Sequence, residues 1–308
     1  MEESFRDLKK NQKTCQRTVP CQYFAPQKIE EALEILSKYG KEIKVIAGGT
    51  DMLIQYYDRL YEVGSWLDLK NISELKDFRI NNNQIEIGAM VTHAQLEKSE
   101  DIKKYFPILS QAAADIGSPQ IRNIGTIGGN IVNASPAGDL LAPLMAYKAI
   151  FKLLCGKDET LVPAEKFFLG PKKTILKPEQ LLVRIILPLS KKKTYAYWIK
   201  IGKRKALIIA SITLALVVKM TEDNKIVKDV RACLGSVAPT PIEIKEIRKK
   251  MVGKNFNQLD FAELGQIVED KISPIDDIRG TREYRKDVAK NIMINALEEI
   301  GSARRSYK

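Results

Sequence analysis

A loop built on paired glycines occurs twice in this chain, and the pair constrains the fold more than any bulk property does. The first, Ala47-Gly48-Gly49-Thr50-Asp51, directly follows a short apolar run, Val45-Ile46. The second is Gly125-Thr126-Ile127-Gly128-Gly129-Asn130, followed by Asn133-Ala134-Ser135-Pro136-Ala137-Gly138-Asp139. Without a Cβ, glycine lets backbone N–H groups approach an anion closely. Thr126, Asn130, Ser135 and Asp139 add hydroxyl, amide and carboxylate groups suited to a polyol phosphate. Two such loops can clasp a diphosphate from both sides, whereas one alone reads as an ordinary tight turn.

Other features narrow the chemistry. The four cysteines, Cys15, Cys21, Cys155 and Cys233, are dispersed and form no Cys-x-x-Cys pair, so they read as free thiols. His93 is the only histidine, which excludes a multi-histidine metal site or a triad variant needing more than one; it reads as a polar helix-start residue. No stretch reaches the roughly 20 apolar residues of a membrane span, and Ile208 to Val218 reads as a buried strand. Met1-Glu2-Glu3-Ser4 does not begin a secretory signal, so a cytoplasmic location is expected.

The formal net charge of +12 admits nucleic acid, an acidic partner or an anionic cofactor. The basic runs Lys191-Lys192-Lys193, Lys203-Arg204-Lys205 and Arg248-Lys249-Lys250 are scattered. Tyr195, Tyr197 and Trp198 between the first two faintly resemble a single-strand groove, but inward-packed strand aromatics explain them as well. A solvated basic surface, with no nucleic acid bound, is the expectation.

Length alone suggests about two domains. Residues 1–22 read as a polar leader, disordered or tethering a partner. A first lobe spans 23–78: Ile29, Ala32, Leu33 and Leu36 mark an amphipathic helix stopped at Gly40, and strands are expected at Lys44–Ala47 and Trp66–Leu69. A second lobe spans 79–190, with a turn at Asn81-Asn82-Asn83, a helix from Phe106 to Ile116, and strands at Ile85–Ile87, Ile150–Leu154, Leu161–Pro163 and Leu181–Leu187. Residues 191–308 read as an α+β unit: three strands (Tyr195–Ile201, Leu207–Lys219, Ile226–Leu234), then helices from about Ile242, Phe261 and Thr281.

Three segments carry a resemblance to a known family. Lys44 to Gln55 (KVIAGGTDMLIQ), Ser118 to Asp139 (SPQIRNIGTIGGNIVNASPAGD) and Asp277 to Val288 (DIRGTREYRKDV) resemble the FAD-binding medium subunit of the molybdenum hydroxylases. That group includes the xanthine, carbon monoxide and nicotinate dehydrogenases, and the likeness runs from about Tyr23 to about Gly301. It implies an α+β chain: a two-lobed FAD-binding domain of the PCMH type, then a C-terminal α+β domain with a three-stranded antiparallel sheet and helices.

The resemblance also implies a non-covalent FAD between the lobes. Lys44, Val45, Ile46, Ala47, Gly48, Gly49, Thr50 and Asp51 would form one cradle, and Gly125, Thr126, Ile127, Gly128, Gly129 and Asn130 the other. Asp139 would accept hydrogen bonds from cofactor hydroxyls, Leu181 would approach the ring by its backbone, and Lys200 would stand near its pyrimidine edge. Arg122 and Asn123 would brace the second loop, and Arg282, Tyr284 and Arg285 would serve domain packing.

The function implied is electron transfer, with no catalytic side chain in this subunit. Molybdenum cofactor and [2Fe–2S] clusters would reside in a molybdopterin-binding large subunit and an iron–sulfur subunit, together a dimer of heterotrimers. The FAD would pass electrons to NAD(P)+ or another acceptor. Two other readings stay open at this stage: a stand-alone FAD-dependent oxidase or reductase, and a non-enzymatic assembly or binding module.

Overall fold

A computed structural model describes residues 22–60, 64–81, 83–190, 193–203 and 209–306. Most of the leader, Asn82, Lys191, Lys192, Arg204, Lys205 and the start of the strand expected at Leu207 lie outside the described residues.

The first lobe is organised by β1 (Tyr23–Phe24), α1 (Ile29–Tyr39), β2 (Ile43–Ile46), α2 (Met52–Tyr57) and β3 (Ser65–Asp68). The 3.6-residue spacing of Ile29, Ala32, Leu33 and Leu36 buries one face of α1, and Gly40, at φ 50°, takes the left-handed turn that ends it. The three strands form a parallel sheet in the order β1-β3-β2, with Ile43 opposite Ser65 and Ile46 opposite Asp68. That register delivers the chain at Ala47 to the sheet's edge, where the first glycine loop begins.

The second lobe begins with β4 (Phe78–Ile80) and β5 (Gln84–Gly88). A run of short helices follows: α3 (His93–Lys98), α4 (Glu100–Tyr105), α5 (Pro107–Ala114), α6 (Pro119–Ile124), α7 (Ile127–Asn133) and α8 (Leu141–Ala146). Then come β6 (Ile150–Cys155), β7 (Asp158–Pro163), a small ribbon of β8 (Phe168–Gly170) and β9 (Lys173–Thr174), and β10 (Leu181–Pro188). An antiparallel sheet, β4-β5-β10-β6-β7, results. Central strand β10 is buried on both faces up to Pro188, which is why it reads as an apolar run broken only at Arg184. Its one charge, Arg184, is accommodated because the guanidinium donates to Glu74 O at 2.6 Å and contacts the Asp77 carboxylate.

The C-terminal unit contains β11 (Thr194–Ile201), β12 (Ile212–Met220), β13 (Val227–Gly235) and β14 (Ile242–Glu243), then α9 (Lys245–Met251), α10 (Phe261–Lys271) and α11 (Arg282–Ser306). The expected sheet of three strands thus has a fourth, two-residue strand at its edge: Ile242 pairs with Leu234 where a helix start was expected. Strand periodicity explains how this unit is held. Ile212, Leu214, Leu216, Val218 and Met220 face the C-terminal helices, while Ala215 and Val217 join the core of the second lobe. Among the described residues, no helix is long and apolar enough to cross a membrane.

Candidate functional site

A cleft enclosing about 850 Å³ lies between the two lobes. Its walls carry Lys44, Val45, Ala47, Gly48, Gly49, Thr50 and Asp51 from the first segment, Thr126, Gly128, Gly129 and Asn130 from the second, and Leu181 at the start of β10. Three segments well separated in sequence therefore converge here.

The two glycine segments do different work. In the first, Gly49 sits at φ +71°, a conformation other side chains rarely adopt. None of the described residues accepts a hydrogen bond from the N–H groups of Gly48, Gly49, Thr50 and Asp51, so this loop presents donors for a ligand. In the second, the donors are engaged within the protein. Gly125 N–H donates to Ile121 O, Ile127 N–H to Val91 O, Gly128 N–H to Ala89 O and Asn130 N–H to Thr126 O, at 2.7–3.0 Å. Thr126 caps α7, accepting from Gly129 N–H at 3.0 Å. What this segment offers is bare surface and side chains.

The glycines separate in the same way. A Cβ on Gly48 would meet Ile124 O at 2.2 Å, and one on Gly128 would meet Ala89 O at 2.6 Å, so both are bare for packing. Gly129 differs: its Cβ would meet only Thr126 Oγ1 at 3.0 Å and Ala47 Cβ at 3.9 Å, so it leaves open room in the cleft. Ile127 is fully buried in the core behind, and Ile46, the last residue of β2, also stands off the cleft surface.

Asp139 and Lys200 are brought together, but off the cleft walls. Lys200 Nζ lies 2.6 Å from Asp139 Oδ2 and donates to Asp115 O at 2.9 Å, with only 4 % of its side chain exposed. Burial pushes the Asp139 carboxyl up to about 6, although the ammonium beside it works the other way. Asp139 Oδ1 and Asn130 Oδ1 are both buried without a hydrogen-bond partner. Arg122, expected to brace the second segment, pairs with Glu97 at 2.8 Å and donates to Ile116 O and Gly117 O, tying α6 to α3 and to the turn before α6.

Sequence reading left several lining residues unassigned. The ribbon of β8 and β9 places Leu169, Lys172, Lys173 and Thr174 on the cleft, and its Gly170-Pro171 pair was the available turn signal. Lys41, Lys44, Lys172, Lys173 and Lys177 line the cleft against one carboxylate, Asp51, which favours an anion. His93 also lines it. Unpaired N–H groups, bare Gly129, the unpartnered Asn130 oxygen and this charge balance together fit a diphosphate-bearing cofactor such as FAD. Among the described residues, no group of three or more His, Cys, Asp or Glu is placed to hold a metal ion.

Comparison with known proteins agrees with that fit. Residues 17–190 match the FAD binding domain in molybdopterin dehydrogenase, and residues 197–300 the CO dehydrogenase flavoprotein C-terminal domain. The chain is 31% identical to the carbon monoxide dehydrogenase medium chain of Hydrogenophaga pseudoflava, over 90% of this chain and 95% of that one. It is 28% identical to the nicotinate dehydrogenase FAD-subunit of Eubacterium barkeri, over 91% and 97% of the two chains. A solved structure of the Hydrogenophaga pseudoflava carbon monoxide dehydrogenase lacking the Mo-pyranopterin moiety superposes with a TM-score of 0.87 at 30% identity, covering 92% of this chain and 98% of that one.

Proposed function

The chain belongs to the family of FAD-binding medium subunits of the molybdenum hydroxylases, and from that premise we propose that it is the electron-transfer subunit of such a complex. The observation that carries the reading is the cleft's asymmetry: a row of unpaired N–H groups from Gly48 to Asp51 beside the open face of Gly129.

In this reading the Gly48–Asp51 amides hold the diphosphate, and the lysines around them offset its charge. Thr126 and Asn130 hydrogen-bond the polar chain of the cofactor, and Leu181 closes the apolar side. Asp139 and Lys200 extend the site; the unpartnered Asp139 Oδ1 supports its role as acceptor for a cofactor hydroxyl. FAD, when bound, supplies a carrier that takes up electrons and releases them in pairs or singly. This chain's part is to orient the cofactor, exclude water and set its potential.

The electrons come from iron–sulfur clusters of a partner subunit and pass to NAD(P)+ or another acceptor. A molybdopterin-binding large subunit oxidises the substrate, and the assembly is a cytoplasmic dimer of heterotrimers. The names of relatives, a carbon monoxide dehydrogenase medium chain and a nicotinate dehydrogenase FAD-subunit, support this division of labour.

The test is the visible spectrum of the purified chain before and after acid precipitation. A flavin spectrum that moves to the supernatant is the expected outcome, with co-purification of one larger and one smaller partner from the native source. A colourless chain that takes up no added FAD would overturn the reading.

A further inference from the structure

His93 opens α3, and its N–H donates to Gly125 O at 3.0 Å, which fixes it to the second glycine segment. A Cβ on Gly125 would stand 2.9 Å from the imidazole Cδ2 and 3.1 Å from Nε2, so Gly125 is bare because the ring fills that space. The residue lines the cleft yet is only 4 % exposed. Its Nδ1 is buried without a hydrogen-bond partner, as is Asn130 Oδ1 on the same wall. Buried polar atoms without partners are rare, and each of these two, on residues that line the cleft, calls for a partner that a bound ligand can supply.

The electrostatics agree. Burial, helped by the charge of Arg122, holds the imidazole down to about 4, so it stands neutral at physiological pH. A neutral imidazole offers one donor and one acceptor nitrogen and brings no net charge. The amides of Ile127, Gly128 and Gly129 are already engaged, which leaves side chains as this wall's hydrogen-bonding groups.

We infer that His93 is a further ligand-contact residue of the cleft, hydrogen-bonding the bound FAD from the wall that Gly125 to Asn130 form. The inference rests on the cofactor reading above, and its test separates the two.

Because the chain holds a single histidine, ¹⁵N-histidine labelling of the tag-free full-length protein gives one imidazole to follow. Titration with FAD should shift its ring-nitrogen resonances. His93→Phe should weaken FAD binding about tenfold or more, and His93→Gln, which keeps a hydrogen-bonding group in a smaller side chain, should recover part of the loss. Ring resonances that stay in place at saturating FAD would overturn the inference, as would wild-type affinity in His93→Phe. The NMR result decides alone if His93→Phe does not fold. A wild-type chain that takes up no FAD would overturn the cofactor reading itself, and this inference with it.

Discussion

A Cβ on Gly48 would lie 2.2 Å from the carbonyl oxygen of Ile124, so the two lobes touch here backbone to backbone. The glycine is therefore bare for lobe closure, even though its N–H has no partner among the described residues. Gly48→Ala forces that contact apart, and overpacking of this kind costs about 1–3 kcal/mol. The expected outcome is a lower urea midpoint for the cofactor-free protein together with weaker flavin binding. A variant with wild-type stability would show that the lobes do not close on this contact.

Gly129 makes the opposite prediction. It lies in the first turn of α7, where alanine favours a helix over glycine by about 0.5–1 kcal/mol, and its Cβ would press only on the side-chain oxygen of Thr126. Stability of the cofactor-free Gly129→Ala protein should stay within about 1 kcal/mol of wild type. Flavin binding should weaken at least about tenfold, because the methyl group enters the space left for ligand. Fluorescence titration with FAD, beside urea unfolding of the same sample, checks both halves.

These two glycines also mark how far the sequence could be read. Val45-Ile46 before Gly48-Gly49 signals a strand and a glycine loop through local chemistry alone, and the structure has the strand and sets the loop on the cleft wall. Nothing local tells Gly48, needed for a contact with Ile124, from Gly129, left open to the cleft; that distinction exists only once the lobes meet. Helix α7 was hidden because Gly128 and Gly129 argue against a helix, and the six-residue α6 is too short to show a helical period. Ser118-Pro119 and Thr126, a cap with proline in the first turn and a second cap, were the signals for them. Buried Arg184 lay beyond sequence reasoning, since its partners Glu74 and Asp77 are more than a hundred residues away.

Lys200 reads from sequence as a strand lysine matching a family position, and its pairing with Asp139 gives a pH-dependent prediction. Lys200→Met leaves a buried carboxylate without its cation, a change that costs about 3–5 kcal/mol when the acid is ionised. Burial already raises the Asp139 carboxyl from 3.8 to about 6, and loss of the ammonium raises it further. A folded state that keeps a proton the unfolded chain has lost becomes less stable as pH rises above 3.8. The variant should therefore be most destabilised at pH 8 and recover much of the difference at pH 5. Thermal unfolding at the two pH values is the check; an equal loss at both would mean that Asp139 does not carry the charge.

The loop from Asp277 to Gly280 is tied down by charge, and its two ion partners should not be equivalent. Asp277 pairs with Arg279 at 2.7 Å and contacts the guanidinium of Arg285, a fully buried residue that also donates to Ser236 O at 3.3 Å. Asp277→Asn strands the Arg285 charge in the interior, which costs about 3–5 kcal/mol. Arg285→Met is the milder change, because the carboxylate it leaves keeps Arg279 and is partly open to solvent. Hydrogen bonds from Arg279 chiefly hold the Asp277 carboxyl down at about 2, against 3.8. Its stabilisation is thus complete above pH 3.8 and is lost as pH falls through about 2. Urea unfolding at neutral pH should rank wild type above Arg285→Met and Arg285→Met above Asp277→Asn. In acid the gap between wild type and Asp277→Asn should narrow, and a gap that held constant down to pH 2 would mean that the carboxylate is not what secures this loop.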